Sequence, residues 1–247
     1  MPDWPAPAHV RAVITTRKGG FSKVPYDSMN LGYHVDDEKF YVDKNWEYVL
    51  KYNVIENVPQ LISQVHGSSV IELPYTSEHI PQADGSFSRK KNTPCTILTA
   101  DCLPVFLCNK NGTQVAALHA GWRGLAAGVL SEGVASFENP ADVIAYLGPA
   151  ICPACFEVGK DVVNTFVSNA QKWGAGVAEV TIRQCFQPVD DKHWLADLYQ
   201  LARLCLNANG VSAIFGGEFC TSHQPDLFYS YRRDGVTGRM ASIIWFQ

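Results

Sequence analysis

The sequence predicts a mixed α/β fold, with helices and strands interleaved in a single domain over residues 1–247. Three observations predict it. Runs with strand character alternate with runs of helical period along the whole chain, the pattern of an α/β or α+β protein. No internal repeat, low-complexity tract or linker divides the sequence. A 47% share of hydrophobic residues supplies one sizeable core at this length.

The elements follow in order. VRAVITT (10–16) reads as a strand. RKGGFSKVPYDSMNLGYHVDD, behind it, is rich in Gly, Pro, Asn and Asp and must be turns and irregular chain. A loop of about 20 residues in a compact domain is usually functional, and its aromatic residues argue for order. Residues 39–52 form a helix on the stripe Phe40, Val42, Trp46, Val49 and Leu50. QLISQVH (60–66) reads as a strand ending in a histidine. PCTILTA (94–100) and LPVFLCN (103–109) are two strands or one broken strand. TQVAALHA (113–120) is another strand with a histidine near its end, and GWRGLAAGVLSEGVASF (121–137) follows it as a helix. DVIAYLG (142–148) is a strand. Residues 157–171 and 193–208 read as helices, the second on Leu195, Leu198, Ala202 and Cys205 with Gly210 just past its end. SAIFGG and GRMASIIWF are late strands.

Composition narrows the function. A net charge of −4 is not the basic footprint of a nucleic-acid binder. The start, MPDWPAPAHV, has neither a basic nor an apolar leader region. No apolar run approaches the roughly 20 residues of a membrane span. A cytosolic protein is expected. Its eight cysteines then read mostly as small buried hydrophobes rather than a disulfide framework.

LTADCLPVFL (98–107) breaks the pattern of a buried strand with an acid, a cysteine and a proline. A proline is unwelcome in a central strand, so Pro104 is expected to bend the chain and the bend to present Cys102. His66, Cys102 and His119 each end an apolar run, where sheets present side chains to a crevice. Two imidazoles and one thiolate are a soft set that suits zinc, and three protein ligands leave a fourth position open. The same residues also fit a metal-free reading, with Cys102 as nucleophile and His119 as its base.

HAGWRGLAAG places a strand, a Gly-rich turn and a helix in order. Arg123 beside the free N–H groups there suits an anion such as phosphate; the glycines equally suit close packing. Arg17 before a Gly pair, and Arg232, Arg233 and Arg239 in SYRRDGVTGR, are further cations for such a pocket. CPAC (152–155) is a C-x-x-C, redox-active or half a zinc site by type. With no second C-x-x-C and no HxxxH, it reads as an ordinary turn holding Cys152 and Cys155. Cys220 has no assignment.

Taken together, TTRKGGFSKVPYDSMNLGYHV, QVHGSSV, TADCLPVFL, LHAGWRGLAAGVL, LGPAICPACFEVG and FYSYRRDGVTGRMASIIW resemble, in order, the blocks of the YfiH family. These are bacterial proteins once called multicopper polyphenol oxidases. The resemblance spans nearly the whole chain. It implies a cysteine-hydrolase-like α/β fold and a zinc held by His66, Cys102 and His119. It also implies purine nucleoside phosphorylase activity with adenosine deaminase and methylthioadenosine phosphorylase activities, purine nucleosides and phosphate being the partners. Polyphenol oxidase activity with copper and the editing of peptidoglycan precursors are further activities the family carries. Asn30 and His34 in the first block, and Asp84 in ADGSFSR (83–89), a further segment that resembles the family with Ser88 where a threonine is common, are polar residues suited to line a pocket or to brace turns.

Counting weighs the alternatives. A multicopper oxidase, by its resemblance to laccases, uses about ten histidines, many in His-x-His pairs. This chain has seven, at 9, 34, 66, 79, 119, 193 and 223, with no such pair. Phosphorolysis needs cations on phosphate, which Arg17, Arg123, Arg232 or Arg233 can supply, and deamination needs water activated at a metal. His66, Cys102 and His119 are therefore expected to be catalytic together with Arg17 and Asp101, with Asp101 orienting a ligand from behind. Asn30, His34, Arg123, Arg232 and Arg233 are expected to bind substrate.

Overall fold

The computed structural model describes residues 2–174 and 177–247. In chain order the elements are β1 (Val10–Ile14), α1 (Lys39–Tyr52), β2 (Val70–Glu72), β3 (Gly85–Ser88), β4 (Cys95–Thr99), β5 (Leu103–Asn109) and β6 (Val115–Ala120). Then come α2 (Trp122–Ala127), α3 (Val129–Ala135), β7 (Val143–Leu147), β8 (Glu157–Gly159), α4 (Lys160–Asn169), α5 (Glu179–Arg183), β9 (Phe186–Pro188) and β10 (His193–Ala196). The chain closes with α6 (Leu198–Ala208), β11 (Ala213–Gly216), α7 (Tyr231–Asp234) and β12 (Met240–Phe246). The class is mixed α/β, as the sequence predicts. No helix among the described residues is long and apolar enough to cross a membrane.

A six-stranded sheet, ordered β11-β7-β5-β6-β3-β2, forms the centre. β5 explains its own sequence. Leu103, Val105 and Leu107 join the core shared with the helices, while Phe106 and Cys108 join the core on the other face. Both faces of the strand are covered, so the run is apolar from Leu103 to Cys108. β6 does the same with Ala116, Leu118 and Ala120 against Val115 and Ala117. On the helix side, Leu125, Leu130, Phe166 and Leu201 pack against them. On the far side lies a second, antiparallel sheet, β1-β12-β4. β12 turns Ile244 and Phe246 toward the central sheet, and Ala241, Ile243 and Trp245 toward α1. A short third sheet, β8-β10-β9, borders the helices.

The departures from expectation have physical causes. QLISQVH is not a strand; it makes only an isolated bridge, Ser63 to Gln82. The Gln64 side chain pairs with both backbone groups of Leu98 (2.8 and 2.9 Å), and the N–H groups of Val65, His66 and Gly67 go to the Asp84 carboxylate. The helix expected over 121–137 is split by Gly128, whose φ of 97° only glycine adopts readily. Residues 157–159 and 193–196, expected to start helices, pair with each other as β8 and β10. α6 begins only after Asp197, whose side chain accepts the Gln200 N–H. In α1, Phe40 is 62% exposed, because two positions from Val42 is the opposite side of the helix. Buried Asn45 takes the place in the stripe and binds Ser22, Ser28, Asn30 and Phe21, which anchors the long loop after β1 to α1.

The two strands around TADC belong to different sheets, β4 to the outer and β5 to the central one. The bend between them is not made by Pro104, which lies inside β5 opposite His119. β5 pairs with β7 only from Val105 onward, so the missing proline N–H costs that ladder nothing. Asp101 makes the bend, with φ of 90°.

The tight fit of α3 on the central sheet yields a coupled prediction. A methyl at Gly133 would collide with the Leu118 side chain, which is fully buried. Gly133→Ala should destabilise by about 1–3 kcal/mol through overpacking, and Leu118→Ala by about 2–5 kcal/mol. In urea unfolding, the double variant should cost less than the sum, since each change relieves the other's defect.

Candidate metal centre and substrate cleft

Three segments converge on the candidate site. The 65–67 turn brings His66, the bend before β5 brings Cys102, and the end of β6 brings His119. His66 and Asp101 both hold left-handed backbone, at φ of 61° and 90°. Such conformations cost a non-glycine residue about 1–3 kcal/mol and persist where surrounding contacts impose them. For Asp101 those contacts are the Thr221 hydroxyl (2.6 Å) and the Arg232 N–H (2.7 Å) on its carboxylate, and the Ile151 N–H on its carbonyl (3.0 Å).

The ligand atoms of His66, Cys102 and His119 lie within 4.8 Å of one another. Cys102 Sγ is 3.8 Å from His66 Nε2, and the two imidazole rings stand nearly edge to face at 72°. His119 is buried, Cys102 half-buried and His66 exposed, so the set is closed behind and open in front. Gly121 clears the space: a methyl there would come within 2.9 Å of Cys102 Sγ and 3.0 Å of His66 Cδ2. Gly124 lets α2 approach the same turn, where a methyl would meet the Gly67 carbonyl at 2.7 Å. The glycines of HAGWRG thus serve packing around the three residues.

The donor set fits a metal ion. His119 Nδ1 donates to Asp84 Oδ1 at 2.8 Å, which fixes the tautomer and leaves Nε2 to ligate. Asp84 is fully buried and also accepts the N–H groups of Val65, His66 and Gly67, at 3.2, 2.9 and 2.6 Å. Burial favours the neutral Asp84 carboxyl, but His119 and these amides outweigh it and hold the pKa below the usual value. Burial likewise disfavours a Cys102 thiolate and a His119 imidazolium. Their mutual attraction wins, bringing the thiol down to about 6 and, with Asp84, the imidazole up to about 9.

These residues open onto a cavity of ≈ 770 Å³. Leu61, Ile62, Ile80 and Leu98 give it an apolar wall, and Arg239 and His34 a polar one. Arg239 donates through Nη1 to the carbonyls of Thr237 and Gly238, at 2.8 and 3.0 Å. Its Nε and Nη2 have no acceptor among the described residues. The Thr96 hydroxyl, also in the lining, is buried without a partner.

The other expected residues sit elsewhere. Arg17 is tied to Asp27 and the Pro225 carbonyl, with its guanidinium 4.8 Å from the Tyr229 ring centroid. Arg123 is exposed and lies over Trp122. Arg232 binds the Glu157 carbonyl, and Arg233 pairs with Asp234 and the carbonyls of Thr221, Ser222 and Phe228. Asn30 is fully buried, braced against Asp37, Gly32 and the Arg239 N–H. The carboxylate that orients a candidate ligand histidine is that of Asp84, while Asp101 holds the backbone beside Cys102. The sequence signal for Asp84 was its place in ADGSFSR (83–89), a segment that also resembles the family. Arg239 carried no mark that set it above the other arginines.

Two outcomes follow from this geometry. Asp84→Asn keeps the shape but removes the charge, and should weaken binding of a divalent metal ion at this set roughly 10- to 100-fold, read by competition with a chromophoric chelator. Between pH 6 and 9 the site meets an ion with Cys102 already ionised and His119 still protonated. One proton should leave on binding from this pair, so affinity should rise about tenfold per pH unit, more steeply below pH 6 and flatly above pH 9. Calorimetry in buffers of different ionisation enthalpy measures that proton.

Comparison with known proteins agrees with the arrangement of the chain. A family model described as multi-copper polyphenol oxidoreductase laccase matches residues 11–247. A purine nucleoside phosphorylase of Pseudomonas aeruginosa is 47% identical over 248 residues, spanning 100% of this chain and 97% of its own length. The purine nucleoside phosphorylase YfiH of Escherichia coli is 47% identical over 249 residues, 99% of this chain and 97% of the relative. Among solved structures, a Neisseria meningitidis protein of the DUF152 group superposes with a TM-score of 0.91 at 44% identity, covering 100% of this chain and 98% of that one. YfiH of Bacillus licheniformis gives a TM-score of 0.86 at 27% identity, covering 96% and 93%. With a family match from β1 to the last residue and relatives this close over their full lengths, the chain belongs to the YfiH family of laccase-like proteins.

Proposed function

We propose that this chain is a zinc-dependent purine nucleoside phosphorylase whose single site also deaminates adenosine and cleaves methylthioadenosine. One observation carries the reading: an open set of soft ligands, an arginine with uncommitted N–H groups and an apolar wall face the same cavity. The activity named for the relatives points the same way.

His66, Cys102 and His119 would hold the ion, which supplies a Lewis acid when bound. The apolar wall of Leu61, Ile62, Ile80 and Leu98 suits a purine ring. Arg239 holds phosphate through Nε and Nη2, the role the sequence assigned to other arginines. In phosphorolysis a phosphate oxygen bonds to the sugar C1′ as the C1′–N9 bond breaks; the electron pair leaves with the purine, which takes up a proton. His34 has its pKa lowered, first by desolvation and then by Arg239 and His119. It is neutral near pH 7 and offers one donor and one acceptor, as a ribose hydroxyl requires. The unpartnered Thr96 hydroxyl is a further hydrogen-bonding group for substrate.

Copper in the same ligands is the second reading, favoured by the softness of the donors and by the description of the family model. It would make oxidase activity a property of the ion supplied, confined to one centre.

The chain purified without added metal should release adenine and ribose 1-phosphate from adenosine only when phosphate is present. Cys102→Ala should abolish this. Arg239→Met should raise the KM for phosphate roughly 10- to 100-fold, the loss of charge-assisted hydrogen bonds, with metal content unchanged. Inosine formed without phosphate would measure the deaminase activity. No turnover of any nucleoside by metal-loaded protein would overturn the reading and favour the editing of peptidoglycan precursors.

A further inference from the structure

The C-x-x-C at Cys152–Cys155 is not an isolated turn. The fold brings to it a C-x-x-H, Cys220–His223, from the loop between β11 and α7. The ligand atoms of Cys152, Cys155, Cys220 and His223 all lie within 4.8 Å of one another. The His223 ring stands between two sulfurs, Nε2 at 3.0 Å from Cys155 Sγ and Nδ1 at 3.6 Å from Cys152 Sγ. Ligand atoms around one tetrahedral zinc are separated by about 3.5–3.8 Å. We propose that these four residues form a second, structural zinc site, closed by protein ligands and separate from the three-ligand centre in the cleft.

The local backbone supports a metal rather than a disulfide. Cys152 and Cys155 flank a single turn in which the Cys155 N–H binds the Cys152 carbonyl at 3.0 Å, the tight loop that sets two thiolates side by side on one ion. Cys220 Sγ accepts two backbone N–H groups, from Cys152 at 3.3 Å and His223 at 3.4 Å. Donors aimed at a sulfur favour its thiolate form, and such bonds orient metal ligands. A Cys3His set is one of the common closed zinc sets. The sequence showed only a turn with two cysteines because the partner motif lies far along the chain and has one histidine in place of a cysteine.

The site has a place in the architecture. Ala150 bridges to Cys220, and the Thr221 N–H binds the Ala150 carbonyl at 3.0 Å. The next residue of each segment reaches Asp101: Ile151 through its N–H, and Thr221 through its hydroxyl. Asp101 makes the bend that presents Cys102. The second ion therefore clamps together the two loops that hold that bend.

The test counts ions and does not depend on the reaction catalysed. Wild-type protein expressed with zinc and weighed by native mass spectrometry should carry two ions per chain. Cys102→Ala, which damages only the cleft centre, should keep one. Cobalt loaded into Cys102→Ala should show thiolate charge transfer and the intense visible bands of a tetrahedral sulfur-rich site. Cys152→Ser/Cys155→Ser should remove those bands and lower the wild-type count from two to one. An ion-free Cys102→Ala chain without thiolate–cobalt absorption would overturn the proposal, as would a Cys152–Cys155 disulfide in the metal-loaded wild type. Because Cys102→Ala retains all four ligands, a folding defect in the double variant leaves the test intact.

Discussion

The Asp84 carboxylate is buried completely, and it is bearable there as an anion because four N–H groups converge on it. A buried charge without partners costs several kcal/mol; with them it becomes a rivet. One donor is a candidate metal ligand, the other three belong to the turn carrying another, and the Asp84 carbonyl binds the His119 backbone N–H at 2.7 Å. The strand β6, the approach to β3 and the 65–67 turn are thereby locked into one unit. The left-handed conformation of His66 is the cost of directing three consecutive amides at one carboxylate.

The same logic governs the third ligand. The chain passes from the outer sheet to the central one between Thr99 and Leu103, and the residue that reverses it, Asp101, has its backbone and side chain held by Ile151, Thr221 and Arg232. None of these lies near Asp101 in sequence. The cavity opens beside this crossing, lined by Thr96, Leu98, Thr99 and Ala100 on one side and by the 61–66 segment on another. The split of β4 and β5 between two sheets brings Leu98 to its wall and Cys102 to its edge, while Leu61, Ile62, Ile80 and His66 come from the irregular chain before β3 and His119 from β6. Gly121 and Gly124 let α2 close on the ligands without filling the space an ion needs.

Much of the fold was legible in the sequence because its strands are buried on both faces and its longer helices keep one apolar stripe. β5, β6, β7 and α1 are read at or near their true bounds for that reason. Reading failed where a side chain replaced a backbone partner. Gln64 pairs with Leu98 as a strand would, and Asp84 takes the amides that would otherwise build a ladder; periodicity cannot register either substitution. It also failed where short segments, 157–159 and 193–196, gained strand structure only by pairing with partners distant in sequence, 157–159 with 193–196 and the latter also with β9.

The sequence by itself determined the interleaved class, the main buried strands and the family, and it singled out His66, Cys102 and His119 as a candidate set, first by their places at the ends of apolar runs and then through the family resemblance. Residue type and local pattern suffice for these, since burial and ligand chemistry are properties of the side chains. The tertiary structure alone decided which carboxylate serves a ligand histidine, which arginine of several faces the cavity, and that Cys220 and His223 stand beside Cys152 and Cys155. Each of those is a pairing across a long stretch of chain. No local signal encodes such a pairing, because its energy exists only once the sheets have packed and brought the partners within reach.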